Sequence, residues 1–163
     1  RQRQMCIRDR INAIFSSFLN LTEKHKISLV LPLHPRTLKM KEALLDKVIQ
    51  EKLDQSPYIK IIPPVSFLDM IALEKKSTLI ITDSGGVQKE AYFFQKPCVI
   101  LRPQTEWVEI TRAKCATIVD TDQDKILNAV DHFMKAENLN FPPVFGDGKA
   151  AEFILEEMLN QFG

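Results

Sequence analysis

Glycine is scarce in this chain, with five residues in 163, and only Gly85 and Gly86 are adjacent. Cysteine is scarcer. Cys6, Cys98 and Cys115 are too few and too scattered for a disulfide framework or for paired Cys-x-x-Cys metal ligands, and this usage fits a reducing, cytoplasmic compartment. Charge of one sign is not in excess. Lys and Arg number 22 against 21 Asp and Glu, a net charge of +1, and they are interspersed, which excludes the basic stripe of a nucleic-acid binder and the block of an acidic tail. No apolar run approaches the roughly 20 residues of a membrane span. Neither nucleic acid nor membrane is therefore the expected partner.

What remains is an ordinary globular composition, 45% hydrophobic and 26% charged, enough to bury one core. The opening "RQRQMCIRDR" is polar, with neither amphipathic period nor turn chemistry joining it to the residues after Arg10. It resembles translated adapter sequence, so residues 1–10 are expected to be a non-native segment outside the fold and residues 11–163 the domain.

From Ile11 onward the hydrophobic period switches repeatedly. Ile11, Ile14, Phe15, Phe18, Leu19 and Leu21 keep helical spacing, and "ISLVLPL" (27–33) is a short strand stopped by prolines. A single helix over 39–53 is predicted by Ala43, Leu44, Val48, Ile49 and Leu53 on one face; "YIKIIPP" is the next strand. Ser66 caps a further helix, "TLIIT" is a strand, 86–95 a helix and "PCVIL" a strand. A helix over 106–113, a strand at 116–119 and a helix over 122–136 continue the alternation. Short apolar strands separated by amphipathic helices predict a doubly wound α/β domain with a parallel sheet covered on both faces.

In such sheets, ligands sit outside the carboxyl ends of the strands. "TDSGG" occupies such an end, and the helix after it begins with unpaired N–H groups. Gly85 and Gly86 permit close backbone approach, Ser84 offers a hydroxyl, and the positive end of the helix favours a phosphate. Glu90, one turn further on, would repel a phosphate but can accept hydrogen bonds from ribose hydroxyls. Phosphate plus ribose points to a nucleotide. The plainer alternative is that Asp83 or Ser84 is an N-cap, the glycines a turn and Glu90 a solvated residue. The loop is neither a Walker A motif nor GxGxxG, since no Lys-Ser/Thr pair comes after the glycines.

Other strand ends add candidates. His34 comes after the first strand, and Val65, Phe67 and Met70 after the second, where they form an apolar wall for a base or, for Phe67 and Met70, face the core. Arg102 comes after "PCVIL" as a phosphate partner or a surface cation. Cys98 reads as a small buried hydrophobe.

Taken together, "LPLHPRT", "IIPPVSFLDMIAL", "LIITDSGGVQKEA", "KPCVILRPQTEWVE" and "FGDGKAAEFILEEM" resemble the C-terminal half of the non-hydrolysing UDP-N-acetylglucosamine 2-epimerases from about Ile11 to the end. The resemblance implies a Rossmann-like domain, the C-terminal one of a GT-B-type pair with the UDP-sugar in the cleft between them. It implies Ser84, Gly85 and Gly86 on the diphosphate, Glu90 on the ribose, His34 lining the nucleotide pocket, and no metal or other cofactor. The implied chemistry is inversion at C2 of a UDP-HexNAc sugar by elimination and readdition of UDP. The family's acid/base carboxylates and its histidine segment belong to the N-terminal half, so this piece is expected to be inactive alone. The full-length protein is expected to be a homodimer. Trp107, where many members have Arg, resembles the branch acting on UDP-2,3-diacetamido-glucuronate. The last helix, with Ala151, Ile154, Leu155, Met158 and Leu159 on one face, is expected to pack on the N-terminal domain and to leave the isolated piece prone to self-association. The donor-binding domain of a GT-B glycosyltransferase and a stand-alone nucleotide-binding module are the alternatives.

Overall fold

The computed structural model of the protein describes residues 2–162. In chain order the elements are α1 (Gln2–His25), β1 (Leu29–Pro32), α2 (Pro35–Leu44), α3 (Lys47–Gln55), β2 (Ile59–Ile62), α4 (Phe67–Lys76) and β3 (Ile80–Thr82). They continue with α5 (Gly85–Phe93), β4 (Cys98–Ile100), α6 (Val108–Arg112), β5 (Ala116–Ile118), α7 (Gln123–Lys135) and α8 (Ala150–Phe162).

Every strand pairing is parallel, in two groups: β1 with β2, and β3–β4–β5 in that order. The strands alternate their side chains between two layers, as the period of two requires. Val99 of β4 joins one apolar cluster with Phe15, Phe18 and Leu19 of α1, Leu53 of α3, and Ile126, Val130 and Phe133 of α7. Its neighbours Cys98 and Ile100 join the opposite cluster with Ala91 and Tyr92 of α5 and Ile110 of α6. Leu29, Leu31, Ile59 and Ile61 from β1 and β2 pack on the first cluster, so both strand groups share one core. Val99 and Ile100 are fully buried. Each such aliphatic side chain contributes roughly 1.5–3 kcal/mol of transfer free energy. Helices on both faces of parallel strands make the domain doubly wound and Rossmann-like.

Two element boundaries and one burial differ from the sequence expectations. Helix α1 begins at Gln2 rather than near Ile11, so the polar opening segment continues the helix. Arg10 makes a two-point ion pair with Asp120 at 3.2 and 2.6 Å. The helix expected over 39–53 is two helices. Leu45 is extended, Asp46 caps α3 by accepting from the Val48 N–H, and Asn12 of α1 bonds both the Leu44 carbonyl and the Asp46 N–H. Phe67, at the start of α4, is 68% exposed, which removes the core reading for that residue.

Scarce glycine shapes the helix ends. Left-handed backbone, where glycine is ordinarily favoured, is taken instead by Lys26 after α1, Gln95 after α5 and Lys114 after α6, with φ of 55°, 55° and 59°. The adjacent pair Gly85-Gly86 lies elsewhere, and neither residue has a positive φ. The backbone torsion does not require glycine there.

Candidate functional site

Helix α5 starts at the carboxyl end of β3. Ser84 holds its N-cap position with extended torsions, φ −86° and ψ 125°, yet its hydroxyl makes no cap bond, and the first turn of α5 carries no acidic residue. The Ser84 N–H itself is satisfied by Thr82 Oγ1 at 3.0 Å. The simple N-cap reading therefore fails for Ser84. A Cβ on Gly86 would meet nothing nearer than Ser84 Oγ at 3.9 Å, so the space over the first turn is open. The result is a helix start with free N–H donors, a free hydroxyl and no side chain in the way, which suits an anion.

The corner is walled by the segment after β4. A Cβ on Gly85 would lie 3.4 Å from Glu106 Oε2, 3.7 Å from Trp107 Nε1 and 3.8 Å from an Arg102 guanidinium nitrogen. Trp107 Nε1 donates to the Gly85 carbonyl at 2.8 Å. Arg102 thus reaches the corner, but both its terminal nitrogens bond Glu106, at 3.0 and 2.7 Å. The Arg102 guanidinium holds the Glu106 carboxyl below its ordinary range. An arriving phosphate would have to share or displace that carboxylate.

Residues that the sequence alone did not single out brace the helix. Gln88 is fully buried, and its Oε1 accepts from the Thr105 hydroxyl at 2.5 Å, while Thr105 Oγ1 accepts from the Trp107 N–H at 3.1 Å. Lys89 stands over the rings of Trp107 and Phe145, 4.5 and 4.7 Å from their centroids, a cation–π arrangement. The signal available for Gln88 was its place inside the pattern D-S-G-G-x-Q-x-E.

Glu90 lies half-buried one turn along α5, and behind it is an unforeseen carboxyl. Glu74 of α4 is 4% exposed, and neither of its oxygens has a hydrogen-bond donor. Burial first, then the charge of Glu90 and proton sharing with it, push Glu74 up to about 7. Two carboxylates cannot hydrogen-bond each other, so a bond between Glu74 and Glu90 requires one of them to be protonated. On the far side, burial and then Glu74 push the Cys98 thiol up to about 12.

His34 stands apart from this cluster. It ends β1, caps α2 and accepts at Nδ1 from the Arg36 N–H at 3.2 Å, and among the described residues no hydrogen bond links it to α5. Beside it a surface hollow of about 590 Å³, bounded by Ile7, Pro35, Met40 and Leu44, is mostly aliphatic and shares no residue with the α5 corner. The α5 corner is open above Gly86. Among the described residues no three His, Cys, Asp or Glu side chains gather as metal ligands, and no helix is long and apolar enough to cross a membrane.

Residues 1–159 match the family described as UDP-N-acetylglucosamine 2-epimerase. A UDP-N-acetylglucosamine 2-epimerase homolog of Methanococcus maripaludis is 39% identical, over 94% of this chain and 41% of its own length. The UDP-2,3-diacetamido-2,3-dideoxy-D-glucuronate 2-epimerase of Pseudomonas aeruginosa is 38% identical, over 85% of this chain and 36% of its own. The crystal structure of the Methanocaldococcus jannaschii UDP-GlcNAc 2-epimerase in complex with UDP-GlcNAc and UDP superposes with a TM-score of 0.78 at 33% identity, covering 93% of this chain and 41% of that one. The chain thus spans about two fifths of the length of these relatives, corresponding to the C-terminal part of a GT-B fold.

Proposed function

Because the chain belongs to the UDP-N-acetylglucosamine 2-epimerase family, we propose that it is the UDP-binding part of an isomerase that inverts C2 of a UDP-HexNAc sugar. The observation that carries this reading is the α5 corner: an uncapped helix start with two glycines its backbone torsions do not need, and Glu90 one turn later. The N–H groups at Gly85 and Gly86 and the Ser84 hydroxyl take the diphosphate. The Glu90 carboxylate accepts the ribose hydroxyls, His34 lines the nucleotide pocket from the β1 end, and Arg102, released from Glu106, adds a charge-assisted bond to phosphate.

In the reaction, a base takes the C2 proton while the bond from C1 to the diphosphate oxygen breaks, giving a 2-acetamidoglucal and UDP. The proton returns to the opposite face of C2 as the C1–O bond re-forms. The role of this domain is to stabilise the leaving diphosphate and to hold UDP in place between the two steps, an electrostatic and positioning contribution. The acid and base come from the rest of the protein, so this part by itself does not turn over. The full-length enzyme is proposed as a cytoplasmic homodimer, a setting that agrees with the three free cysteines. Trp107 at the corner is in keeping with the diacetamido-glucuronate branch.

The test is UDP binding by the full-length protein, with ADP and UMP as competitors, in wild type and Glu90→Ala. Preference for UDP, with a loss of about tenfold or more in the variant, is expected for removal of a charged hydrogen-bond acceptor. Equal affinity for UDP and ADP, or an unaltered variant, overturns the assignment. Release of solvent hydrogen into C2, monitored by NMR, checks the reaction itself.

A further inference from the structure

Glu74 is the only acidic side chain buried among the described residues, and the reaction outlined above does not use it. A buried carboxyl without a donor is costly when ionised, so its presence behind the α5 corner calls for an explanation. We propose that Glu74 is a positioning residue for nucleotide binding: its carboxylic acid donates a hydrogen bond to the carboxylate of Glu90 and fixes that group in the orientation that accepts both ribose hydroxyls of a uridine nucleotide. The inference rests on the UDP-binding reading and extends it.

The surroundings support a single proton held between the two groups. Helix α4 packs on α5, and Glu90 on α5 and Cys98 on β4 are the titratable groups that interact with the buried Glu74. The Cys98 thiol, pushed up to about 12, carries no charge near neutrality. On the same helix, the Lys75 ammonium lies 5.2 Å from the centre of the Phe94 ring rather than on Glu74. Among the described residues neither Glu74 nor Glu90 makes a salt bridge, so the pair avoids two adjacent negative charges by keeping a proton. Ribose hydroxyls donate to the same Glu90 carboxylate that the Glu74 acid serves, so nucleotide favours the acid form of Glu74.

This coupling sets the sign of the pH effect. Burial and Glu90 push Glu74 up to about 7, and a ligand that favours its acid form raises it further, so binding takes up protons. Affinity is highest below neutrality and declines as pH rises and Glu74 ionises beside Glu90.

The experiment measures the Kd for UDP of the full-length wild type, Glu74→Gln and Glu74→Leu between pH 6.5 and 8.5; titration of the nucleotide is common to all three proteins. Wild type is expected to weaken by about fivefold to tenfold across that range relative to Glu74→Gln. Glutamine donates at every pH, so that variant stays within about twofold of wild type at pH 6.5 and keeps its affinity to pH 8.5. Glu74→Leu, which fills the space without a donor, weakens binding about tenfold at pH 6.5. The same pH profile in wild type and Glu74→Gln overturns the proposal, even if Glu74→Leu fails to fold. Failure of wild type to bind UDP overturns the nucleotide reading and this inference with it, whereas UDP binding that is indifferent to Glu74 overturns this inference alone.

Discussion

Two helices of this domain begin with serine, and they use it in opposite ways. At the start of α4, Ser66 Oγ accepts from the Asp69 N–H at 3.2 Å and donates to the Asp69 carboxylate at 2.7 Å, closing its own helix end. At the start of α5, Ser84 has the same position and is likewise extended, but its side chain bonds nothing in its helix, and no acid stands in the first turn. A cap worth about 1 kcal/mol is available to both. Only α5 forgoes it. The contrast teaches that the open end of α5 is not a property of serine or of every strand-to-helix turn in this chain, since α2, α4 and α7, which also come after strands, are closed by side chains, while the five-residue α6 is not.

The comparison can be broken outright by giving α5 an acid. Gly86→Asp has room, with only Ser84 Oγ near the added Cβ, and places a carboxylate where the diphosphate is proposed to bind. UDP affinity, measured by calorimetry, is expected to fall more than about 100-fold, while thermal stability is unchanged or higher by about 1 °C because the charge suits the helix dipole. Loss of both binding and fold would deny that the two are separable here. A paired change sharpens the contrast further. Ser66→Ala should lower Tm by about 2–4 °C and leave UDP affinity within about twofold, whereas Ser84→Ala should leave Tm within about 1 °C and weaken UDP by about threefold to tenfold. Similar Tm losses in both variants would mean the two serines do the same job. The smallest effect concerns the wall. Trp107→Phe removes the donor to the Gly85 carbonyl and is expected to cost about 1 kcal/mol in denaturant unfolding and about twofold in UDP affinity.

The same pair of helices marks how far the sequence could be read. The strands were legible because runs such as "TLIIT" and "PCVIL" are short, apolar and bounded by turn residues, and their alternation with helices dictates the parallel α/β arrangement. Ser66 was legible as a cap from its place before Phe67-Leu68-Asp69. The break between α2 and α3 was not, because Ala43, Leu44, Val48 and Ile49 keep helical spacing across it. What interrupts the helix is Asn12, more than thirty residues away, holding Leu44 and Asp46 apart. The opening ten residues have no period of their own, and the ion pair of Arg10 with Asp120 spans most of the chain. Phe67 misled in the ordinary way, since apolarity states a preference for burial and the helix start at α4 faces outward.

At the corner, Ser84, Gly85, Gly86 and Glu90 were legible because local spacing along one strand, turn and helix sets their placement. Arg102 was legible as a candidate but not in its engagement with Glu106, which depends on how the loop after β4 folds back. Glu74 was invisible. In sequence it is one more charged residue before Lys75 and Lys76, and only the packing of α4 on α5 turns it inward. His34 was legible from its strand end, but its role as the cap of α2, accepting from the Arg36 N–H, was not.

The chain contains a single tryptophan, and Trp107 is tied to the Gly85 carbonyl through Nε1, with an ammonium group lying across its ring. Indole emission depends on both the hydrogen bond at Nε1 and a nearby charge, so the tryptophan emission of this domain, excited selectively over the two tyrosines, has one source and that source touches the glycine corner. An anion drawing Lys89 away, or shifting the Gly85 peptide, would change intensity and colour without any label. The corner carries its own optical probe.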